Sequence, residues 1–269
     1  MKRLRSILVV LLCLVAGLLF VGWLGFQIRP ARFPEFPRSE AELATIPLPG
    51  GLPAPVERFY RQVYGERVPV IHSAVVTGWA SMRRGGIRFP GRFRITHLAG
   101  QGYRHYIEAT WFGLPFIKVN EHYLDGQAEF GPAAGPKLNQ AANLGLWAES
   151  IWLPTIWITD ARVRWEVVDE QTAMLVVPFG DGVERYVVRF DPESGLPSLM
   201  ESMRYKDVDS PGKTLWLNQS LAWAPLNGSL TGVAGAAMWF DEGTPWGVFH
   251  VEDIVFNADV TEYVRADGP

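Results

Sequence analysis

The sequence predicts an α+β protein in which a large antiparallel sheet is covered by one long helix and preceded by a single transmembrane helix. Three observations support this fold class. An apolar run occupies residues 7–28, about ten short segments with strand periodicity follow from Val70 onward, and one helical segment lies between Pro136 and Leu153. So many short strands at hairpin spacing form a sheet that must curl or close on itself.

Residues 1–28 have the composition of an uncleaved membrane anchor. Lys2, Arg3 and Arg5 precede an apolar run that is interrupted only by glycines and one glutamine. About 20 apolar residues span the hydrocarbon core of a bilayer, and basic residues beside such a helix stay in the cytoplasm. A cleaved signal has a shorter apolar core and a small-x-small cleavage site. The sequence therefore predicts a single-pass protein of the cytoplasmic membrane whose body faces the periplasm or the cell exterior.

Composition limits the partners and the chemistry of the body. Three of the 25 basic residues and none of the 28 acidic residues lie in the first 28, which leaves 22 basic and 28 acidic residues and a net charge of −6. Such a surface argues against nucleic acid as a partner. Cys13, the only cysteine, lies in the apolar run, so the body must fold without disulfides. A body of this size can bury a sufficient core without them.

A proline-rich spacer is predicted at residues 29–55, which contain seven prolines and Gly50-Gly51. Proline lacks a backbone donor and favours an extended chain. The spacer could hold the body tens of Å from the membrane, at about 3.1 Å per residue, or lie partly against the body. The body itself is expected to span residues 56–261 and to be followed by a tail at 262–269.

A short helix is predicted from Pro55 to about Gly65, because proline suits a first helical turn and apolar residues recur there at helical spacing. Strands then follow at period two. In one of them Val163, Trp165 and Val167 alternate with charged residues, so one face of that strand is expected to meet solvent. The other predicted strands are 72–81, 92–97, 103–112, 116–123, 173–178, 185–190, 199–205, 214–223, 236–240 and 248–256.

The long helix from Pro136 to Leu153 is ended by Pro154. At 100° per residue its apolar side contains Leu138, Ala141, Ala142, Gly145, Trp152 and Leu153, and its other side contains Asn139, Asn143, Trp147 and Ser150. Glu149 lies near the middle of the apolar side. A carboxylate there must be paired, protonated or directed at a cavity, because an isolated buried charge is too costly. Glu149 is therefore the first candidate for a functional residue.

Several segments together resemble a bacterial envelope family known only as a domain of unknown function. The similarity extends from about Leu52 to Asn257 and gives no catalytic residue, because the family has no assigned activity. The segments that carry the resemblance are 120–126 (NEHYLDG), 138–140 (LNQ), 148–154 (AESIWLP), 163–170 (VRWEVVDE), 244–247 (TPWG) and 255–257 (VFN).

A broader similarity connects the chain to the periplasmic lipoprotein carriers of the LolA and LolB type. The order of strands, one amphipathic helix and paired strands, with the turn sequence from Phe190 to Pro197, is similar to theirs. The similarity implies a half-barrel: a strongly curved antiparallel sheet lined by apolar residues and covered by helices. The transmembrane anchor distinguishes this chain from secreted carriers and favours action at one membrane.

Other chemistries were weighed against this interpretation. His97 and His105 would face each other if their hairpin turn centred on Gln101, and His122 or Glu108 could then complete a metal site. The alternative, ordinary strand residues, is preferred, and no metal site, catalytic residue or cofactor is assigned. A serine hydrolase is excluded because the sequence has no Gly-x-Ser-x-Gly motif.

Glu149 leaves two further alternatives open. With Glu166 or Asp169 it could form a carboxylate pair for acid–base catalysis. It could instead form a structural ion pair with an arginine such as Arg162 or Arg164, which is the preferred alternative.

A basic cluster of Arg83, Arg84, Arg88, Arg92 and Arg94 surrounds Gly85-Gly86 and Pro90-Gly91. Arg83, Arg84 and Arg88 are the candidate membrane-surface residues, because basic side chains are attracted to an anionic bilayer. The alternative is a solvated hairpin whose arginines pair with scattered acidic residues.

The function predicted from the sequence is non-catalytic binding of a membrane lipid or another hydrophobic small molecule. The residues expected to contact the ligand are Glu149, Trp147, Trp152, Trp165 and Gln140. A structural or interaction module with an envelope protein partner is the second hypothesis, and a carboxylate-dependent enzyme is the third.

Overall fold

A computed structural model of the chain describes residues 2–38 and 42–268, and within them the order of elements follows the sequence pattern closely. The helices are α1 (Lys2–Gly25), α2 (Ala54–Tyr64), α3 (Pro136–Glu149) and α4 (Ile156–Thr159). The strands are β1 (Thr45–Pro47), β2 (Arg67–Pro69), β3 (Ser73–Arg84), β4 (Ile87–Leu98), β5 (Gly102–Trp111), β6 (Leu114–Leu124), β7 (Gln127–Glu129), β8 (Arg164–Val167), β9 (Thr172–Phe179), β10 (Gly182–Phe190), β11 (Pro197–Arg204), β12 (Thr214–Leu226), β13 (Ser229–Trp239) and β14 (Gly247–Phe256).

Strands β3 to β14 form one antiparallel sheet in the order β7-β6-β5-β4-β3-β14-β13-β12-β11-β10-β9-β8. Each half is a simple meander, because consecutive strands pair with each other. The halves join where the last strand, β14, pairs with the first, β3. Among the described residues β7 and β8 remain unpaired edges, so the sheet is open rather than a closed barrel.

The sheet curves around α3. This helix contacts β5, β6 and β7 of one half and also β9 and β11 of the other, which a flat sheet would hold far apart. The structure therefore confirms a strongly curved antiparallel sheet with a covering helix. Because the sheet encloses the helix, every residue from Gln140 to Ala148 is buried.

Because the sheet encloses the helix, the prediction of one apolar side and one polar, exposed side for α3 is wrong. Trp147 was placed on the polar side, yet it is fully buried, and Asn143 is buried as well. Asn143 compensates by accepting a hydrogen bond from the Tyr123 hydroxyl at 3.1 Å and donating one to the Pro178 carbonyl at 3.0 Å. The α-helix also ends at Glu149, and a 3-10 turn at Ser150–Trp152 leads to Pro154.

Strands β3 and β4 are longer than predicted and continue to a turn at Gly85-Gly86. Both glycines have positive φ, +57° and +81°, so the turn uses the conformational freedom of glycine. The Pro90-Gly91 pair lies within β4. A side chain at Gly91 would collide with Met82 and with the Glu108 carbonyl of the next strand, which explains glycine at this position.

Residues 29–38 of the proline-rich spacer lie along the outer face of the sheet, the face opposite α3. Phe33 is buried, with its ring centroid 5.7 Å from that of Tyr106. Arg38 pairs with Asp253 at 2.5 Å, and Arg29 pairs with Glu252. This segment therefore follows the second of the two arrangements considered for the spacer, in which it lies against the body.

Strand pairing places the β3–β4, β5–β6 and β13–β14 turns at one end of the sheet. Helix α1 ends there as well, because the Gly25 carbonyl accepts a hydrogen bond from the Phe112 amide at 2.8 Å. We call this the α1 end of the sheet. Helix α1 has the length and composition of a membrane anchor or of a signal sequence.

Candidate functional site

An apolar cavity lies between the C-terminal end of α3 and the inner face of β11–β14. Its volume is about 700 Å³, including the space at its mouth that is open to solvent. The lining residues are the aromatic Trp152, Trp216, Trp246 and Phe249, the aliphatic Ile95, Ile151 and Met200, the small Ala148, Gly232, Ala234, Gly235, Ala236 and Ala237, and the polar Glu149, Asn218, Gln219 and Ser220.

Small residues of β13 make room for this cavity. Five of its lining residues come from the segment Gly232–Ala237, in which only Val233 has a larger side chain. Glycine in a strand interior weakens the strand and often marks a place where another group approaches closely. The sequence analysis did not single out this run, and a cluster of glycine and alanine in a predicted strand was the available signal.

Glu149 connects the cavity to one buried and one partly buried histidine. Its Oε1 lies 2.8 Å from His105 Nε2, and its Oε2 lies 3.1 Å from His97 Nε2. The His97 contact has the distance of an ion pair without the alignment of a hydrogen bond. His97 is fully buried, whereas the Glu149 side chain is 20% exposed at the cavity wall. The carboxylate is therefore both paired and directed at a cavity, two of the three situations expected for it.

The partner of Glu149 differs from the one favoured by the sequence. Arg162 pairs with Asp160 at 2.5 Å, and Arg164 pairs with Glu166 at 3.1 Å. Glu149 is instead held by histidines from β4 and β5, because α3 lies under the β4–β5 side of the sheet at this point. Asp169 accepts a hydrogen bond from the Gln171 amide at 2.8 Å in the turn before β9.

The ion pair sets the charge state of both groups. Burial acts to raise the pKa of Glu149, but the two histidines more than offset it and lower that pKa to about 2. Burial likewise acts to lower the pKa of His105, but Glu149 and Glu121 raise it to about 9. At neutral pH the pair therefore consists of a carboxylate and an imidazolium.

The strand register explains this geometry. His97 pairs with Tyr103 and Ile95 pairs with His105, so the turn centres on Gly100 rather than Gln101. The histidines are diagonal neighbours on the inner face, and the Tyr103 ring stacks on His105 with centroids 4.1 Å apart.

Neither suggested third metal ligand reaches these histidines. Glu108 and His122 belong to the outer face, where Glu108 pairs with Arg92 at 2.7 Å and His122 is opposite Arg104. Within residues 2–38 and 42–268, no group of three or more histidine, cysteine or acidic residues is placed to hold a metal ion.

The five residues expected to contact a ligand do not all reach the cavity. Glu149 and Trp152 line it. Trp147 is fully buried in the main core. Trp165 packs on Trp157 with ring centroids 6.0 Å apart, and the Gln140 amide donates to Glu184 and to the Met203 carbonyl.

Three hydrogen-bond donors of cavity-lining residues have no acceptor among the described residues. They are Nε1 of Trp216, Nε1 of Trp246 and Nδ2 of Asn218. A buried donor without a partner is costly. All three atoms are closed off from solvent, so a ligand oxygen would pair with them only after the side chains at the cavity wall move.

The three arginines predicted to lie at the membrane surface have different environments. Arg84 and Arg88 are exposed at the tip of the β3–β4 hairpin. Arg83 donates to the carbonyls of Thr244 and Pro245 and pairs with Glu242 at 3.1 Å. It therefore fixes the turn that precedes Trp246 at the cavity wall.

A strongly curved sheet around a helix, with an apolar cavity beside that helix, defines the class of this α+β protein. The chain belongs to a family of unknown function, DUF6544, whose model matches residues 42–250. This agrees in kind with the resemblance found in the sequence. No curated protein matches the chain.

Two solved structures are similar to the chain in fold. One is a LolA-superfamily protein from Nitrosomonas europaea, with a TM-score of 0.48 and 10% identity over 81% of this chain and 99% of that one. The other is a DUF1329-family protein from Desulfovibrio piger, with a TM-score of 0.38 and 13% identity over 72% of this chain and 89% of that one. Similarity at these TM-scores is too distant to transfer a ligand or a partner.

Proposed function

We propose that the chain is a membrane-anchored protein outside the cytoplasm that binds a lipid or a similarly hydrophobic ligand without transforming it. The observation that carries this proposal is the cavity between α3 and β11–β14, whose lining consists chiefly of aliphatic, aromatic and small residues. Small-molecule sites are concave and are lined mainly by apolar side chains, with a few polar groups that orient the ligand. Each methylene group buried there contributes about 0.8 kcal/mol to binding.

The polar groups of the cavity support a ligand with a polar head. Trp216, Trp246 and Asn218 supply donors without acceptors, and Glu149 supplies an acceptor at the wall. An acyl ester has an apolar chain for the cavity and carbonyl oxygens for these donors. The remaining lining, chiefly aliphatic, aromatic and small residues, provides no further charge.

Membrane anchoring is supported by α1 and by its flank. Helix α1 is long and apolar enough to cross a bilayer, and its apolar residues are exposed. Lys2, Arg3 and Arg5 favour retention of its N-terminus in the cytoplasm. The body would then stand outside the cytoplasm beside a membrane that contains the proposed ligand.

A carboxylate-dependent enzyme, the third hypothesis from the sequence, is considered because Glu149 reaches both a cavity and a second titratable group. The charge state argues against it. A general acid or base works best with a pKa near the working pH, whereas the pKa values of Glu149 and His105 are about 2 and about 9. The pair is thus better suited to holding α3 against the sheet.

The proposal is tested by photo-crosslinking of the full chain in nanodiscs that contain a phosphatidylethanolamine with a diazirine in its acyl chain. Mass spectrometry of the peptides locates the adducts. We expect adducts in the cavity segment 232–249 as well as in α1, which serves as the internal control for membrane insertion. Adducts in α1 alone would contradict the lipid-binding cavity, and the lack of any adduct in α1 would contradict the anchor.

A matched pair of variants makes the test specific. Ala234→Trp should fill the cavity and abolish adducts in segment 232–249. Val233→Trp introduces the same side chain at the neighbouring position, which does not line the cavity, and should leave the adducts unchanged. Equal labelling of the two variants would show that the adducts form outside the cavity.

A further inference from the structure

The tips of two neighbouring hairpins carry a set of apolar side chains that face solvent. Leu114, Ile87 and Phe116 are 71%, 58% and 51% exposed, which is unusual for a group of large apolar residues on one surface. We call this set the hairpin surface. Its members are Ile87, Trp111, Phe112, Leu114, Phe116 and Ile117.

The hairpin surface lies against the last turn of α1. The Trp111 indole Nε1 donates to the Gly22 carbonyl at 2.9 Å, and the Phe112 amide donates to the Gly25 carbonyl at 2.8 Å. Phe116 also approaches Phe26, with ring centroids 6.1 Å apart. The tip of the β5–β6 hairpin is therefore level with the point at which an apolar helix would leave the bilayer.

Gly25 makes this close approach possible. A Cβ atom at this position would overlap the Trp111 indole ring, whereas a Cβ atom at Gly17 or Gly22 would meet nothing within 4 Å. The glycine at the end of α1 is thus a packing requirement of the contact between the helix and the body.

We propose that the hairpin surface inserts into the interface of the same leaflet from which α1 emerges. This inference rests on the proposed role of α1 as a membrane anchor. Aromatic side chains are enriched at the level of lipid headgroups, where Trp and Tyr place an apolar ring beside polar groups. Trp111 and Phe116 occupy that level if α1 spans the membrane.

The charge around the hairpin surface fits anionic headgroups. Arg84 and Arg88 are exposed beside Ile87, and neither segment 84–91 nor segment 109–117 contains an acidic residue. Exposed basic residues next to a membrane are attracted to anionic lipids. The apolar side chains of the hairpin surface and the two arginines beside it therefore favour the same partner, a lipid surface.

The cavity lies close to the same end of the sheet. Trp246, which directly precedes β14, and Phe249, near the start of β14, line the cavity. The start of β14 pairs with the end of β3 that leads into the β3–β4 turn. Insertion of the hairpin surface would hold this part of the cavity wall near the lipid. The hairpin surface would thus orient the body so that the cavity lies close to the membrane.

The test measures the depth of single fluorescent labels in the full chain. Cys13, the only cysteine, lies within α1 and can be labelled with NBD in detergent before reconstitution into anionic nanodiscs. Two further samples place the label at Leu114→Cys or Val167→Cys in a Cys13→Ser background. Val167 is a matched apolar control, because it is 77% exposed and lies in β8 at the opposite end of the sheet.

Quenching by doxyl-labelled phosphatidylcholine then decides the outcome. We expect the labels at positions 13 and 114 to be quenched several-fold more than the label at 167. A label at 114 that is quenched no more than the label at 167, with position 13 quenched, would overturn the insertion and leave the surface to a protein partner. A label at 13 that escapes quenching would overturn the anchor itself and this inference with it.

Discussion

The Nε2 atom of His105 lies 2.8 Å from Oε1 of Glu149, which joins the centre of a strand to the last residue of the helix that the sheet encloses. His97 approaches the other carboxylate oxygen from the neighbouring strand. The charged group that borders the cavity is consequently fixed from two strands. Its energetic importance can be measured separately from any role in binding.

Glu149→Gln should destabilise the body strongly. The variant removes one member of a largely buried ion pair and leaves the His105 imidazole with only the more distant Glu121, 3.8 Å away, as a counter-ion. Removal of one partner of a buried pair costs about 3 kcal/mol in comparable cases. The control is Glu166→Gln, which breaks the exposed pair with Arg164 and should cost less than about 1 kcal/mol. Denaturant unfolding of both variants, followed by tryptophan fluorescence, measures the difference. Equal losses would show that the pair contributes no more than a surface contact.

Stability should fall as the pH rises from about 6.5 to 9. The folded-state pKa of His105 is raised to about 9 from an ordinary value of 6.5, so the folded protein binds the proton more tightly than the unfolded chain. The stabilisation is complete below pH 6.5 and is lost as the pH passes through 9. The loss should be about 3 to 4 kcal/mol, since the pKa of His105 rises from 6.5 to about 9 and one pKa unit corresponds to about 1.4 kcal/mol.

At acidic pH the stability should change in the opposite direction and rise with pH. The pKa of Glu149 is lowered to about 2, so its contribution is present above about 4.5 and is lost as the pH falls through 2. Between pH 4.5 and 6.5 the pair should therefore contribute at its maximum. His105→Gln should remove the decline between pH 6.5 and 9 in thermal unfolding curves. A decline that persists in this variant would assign it to another group.

Trp216→Phe should weaken ligand binding and leave the fold intact. The substitution keeps an aromatic ring at the cavity wall but removes part of the indole, including a donor that has no protein partner among the described residues. Loss of one such hydrogen bond to a ligand costs about 1 kcal/mol, or about five-fold in affinity. Trp165→Phe removes a similarly unpartnered donor away from the cavity and should not change the affinity. The affinities of the two variants are compared by measuring how much unlabelled lipid is needed to reduce crosslinking of the diazirine lipid.

Gly25→Leu should separate α1 from the β5–β6 hairpin. The new side chain would occupy the space of the Trp111 indole, so the hydrogen bond to the Gly22 carbonyl would be lost. Gly17→Leu introduces the same side chain where nothing lies within 4 Å and serves as the control. The emission maximum of NBD at Leu114→Cys, measured in a Cys13→Ser background in nanodiscs, should move to the red only in the Gly25 variant. An identical spectrum in both would mean that the contact does not hold the hairpin.

The sequence predicted most of the fold because the governing signals are local. Period-two alternation and turns such as Gly85-Gly86 identified nearly every strand of the sheet, and Pro154 limited the helical segment. The short strands β1, β2 and β7 were missed, since three residues are too few to establish a period. The exposure of the α3 side that contains Trp147 was predicted incorrectly, because burial there depends on the curvature of the sheet around the helix.

The site was predicted only in part because it depends on register. Glu149 stood out, since a carboxylate among apolar helical positions needs a special environment whatever the fold. Its partners were not predictable with the hairpin turn centred one residue away from Gly100. The alternation of side chains along a strand, however, would have shown that Glu108 cannot join His105 in a metal site. The two residues are three positions apart, and residues an odd number of positions apart in one strand face opposite sides of the sheet.

The attachment of residues 29–38 to the outer face of the sheet has a consequence for kinetics. A free tether would let the body tumble above the bilayer, and each encounter with a lipid would require a new search over orientations. With Arg29 and Arg38 clamped to Glu252 and Asp253, the body and α1 move as one unit. If α1 anchors the chain as proposed, the rotational entropy of the body relative to the membrane is lost once, during folding. A ligand that moved from the leaflet into the cavity would then meet a wall with a fixed height and orientation.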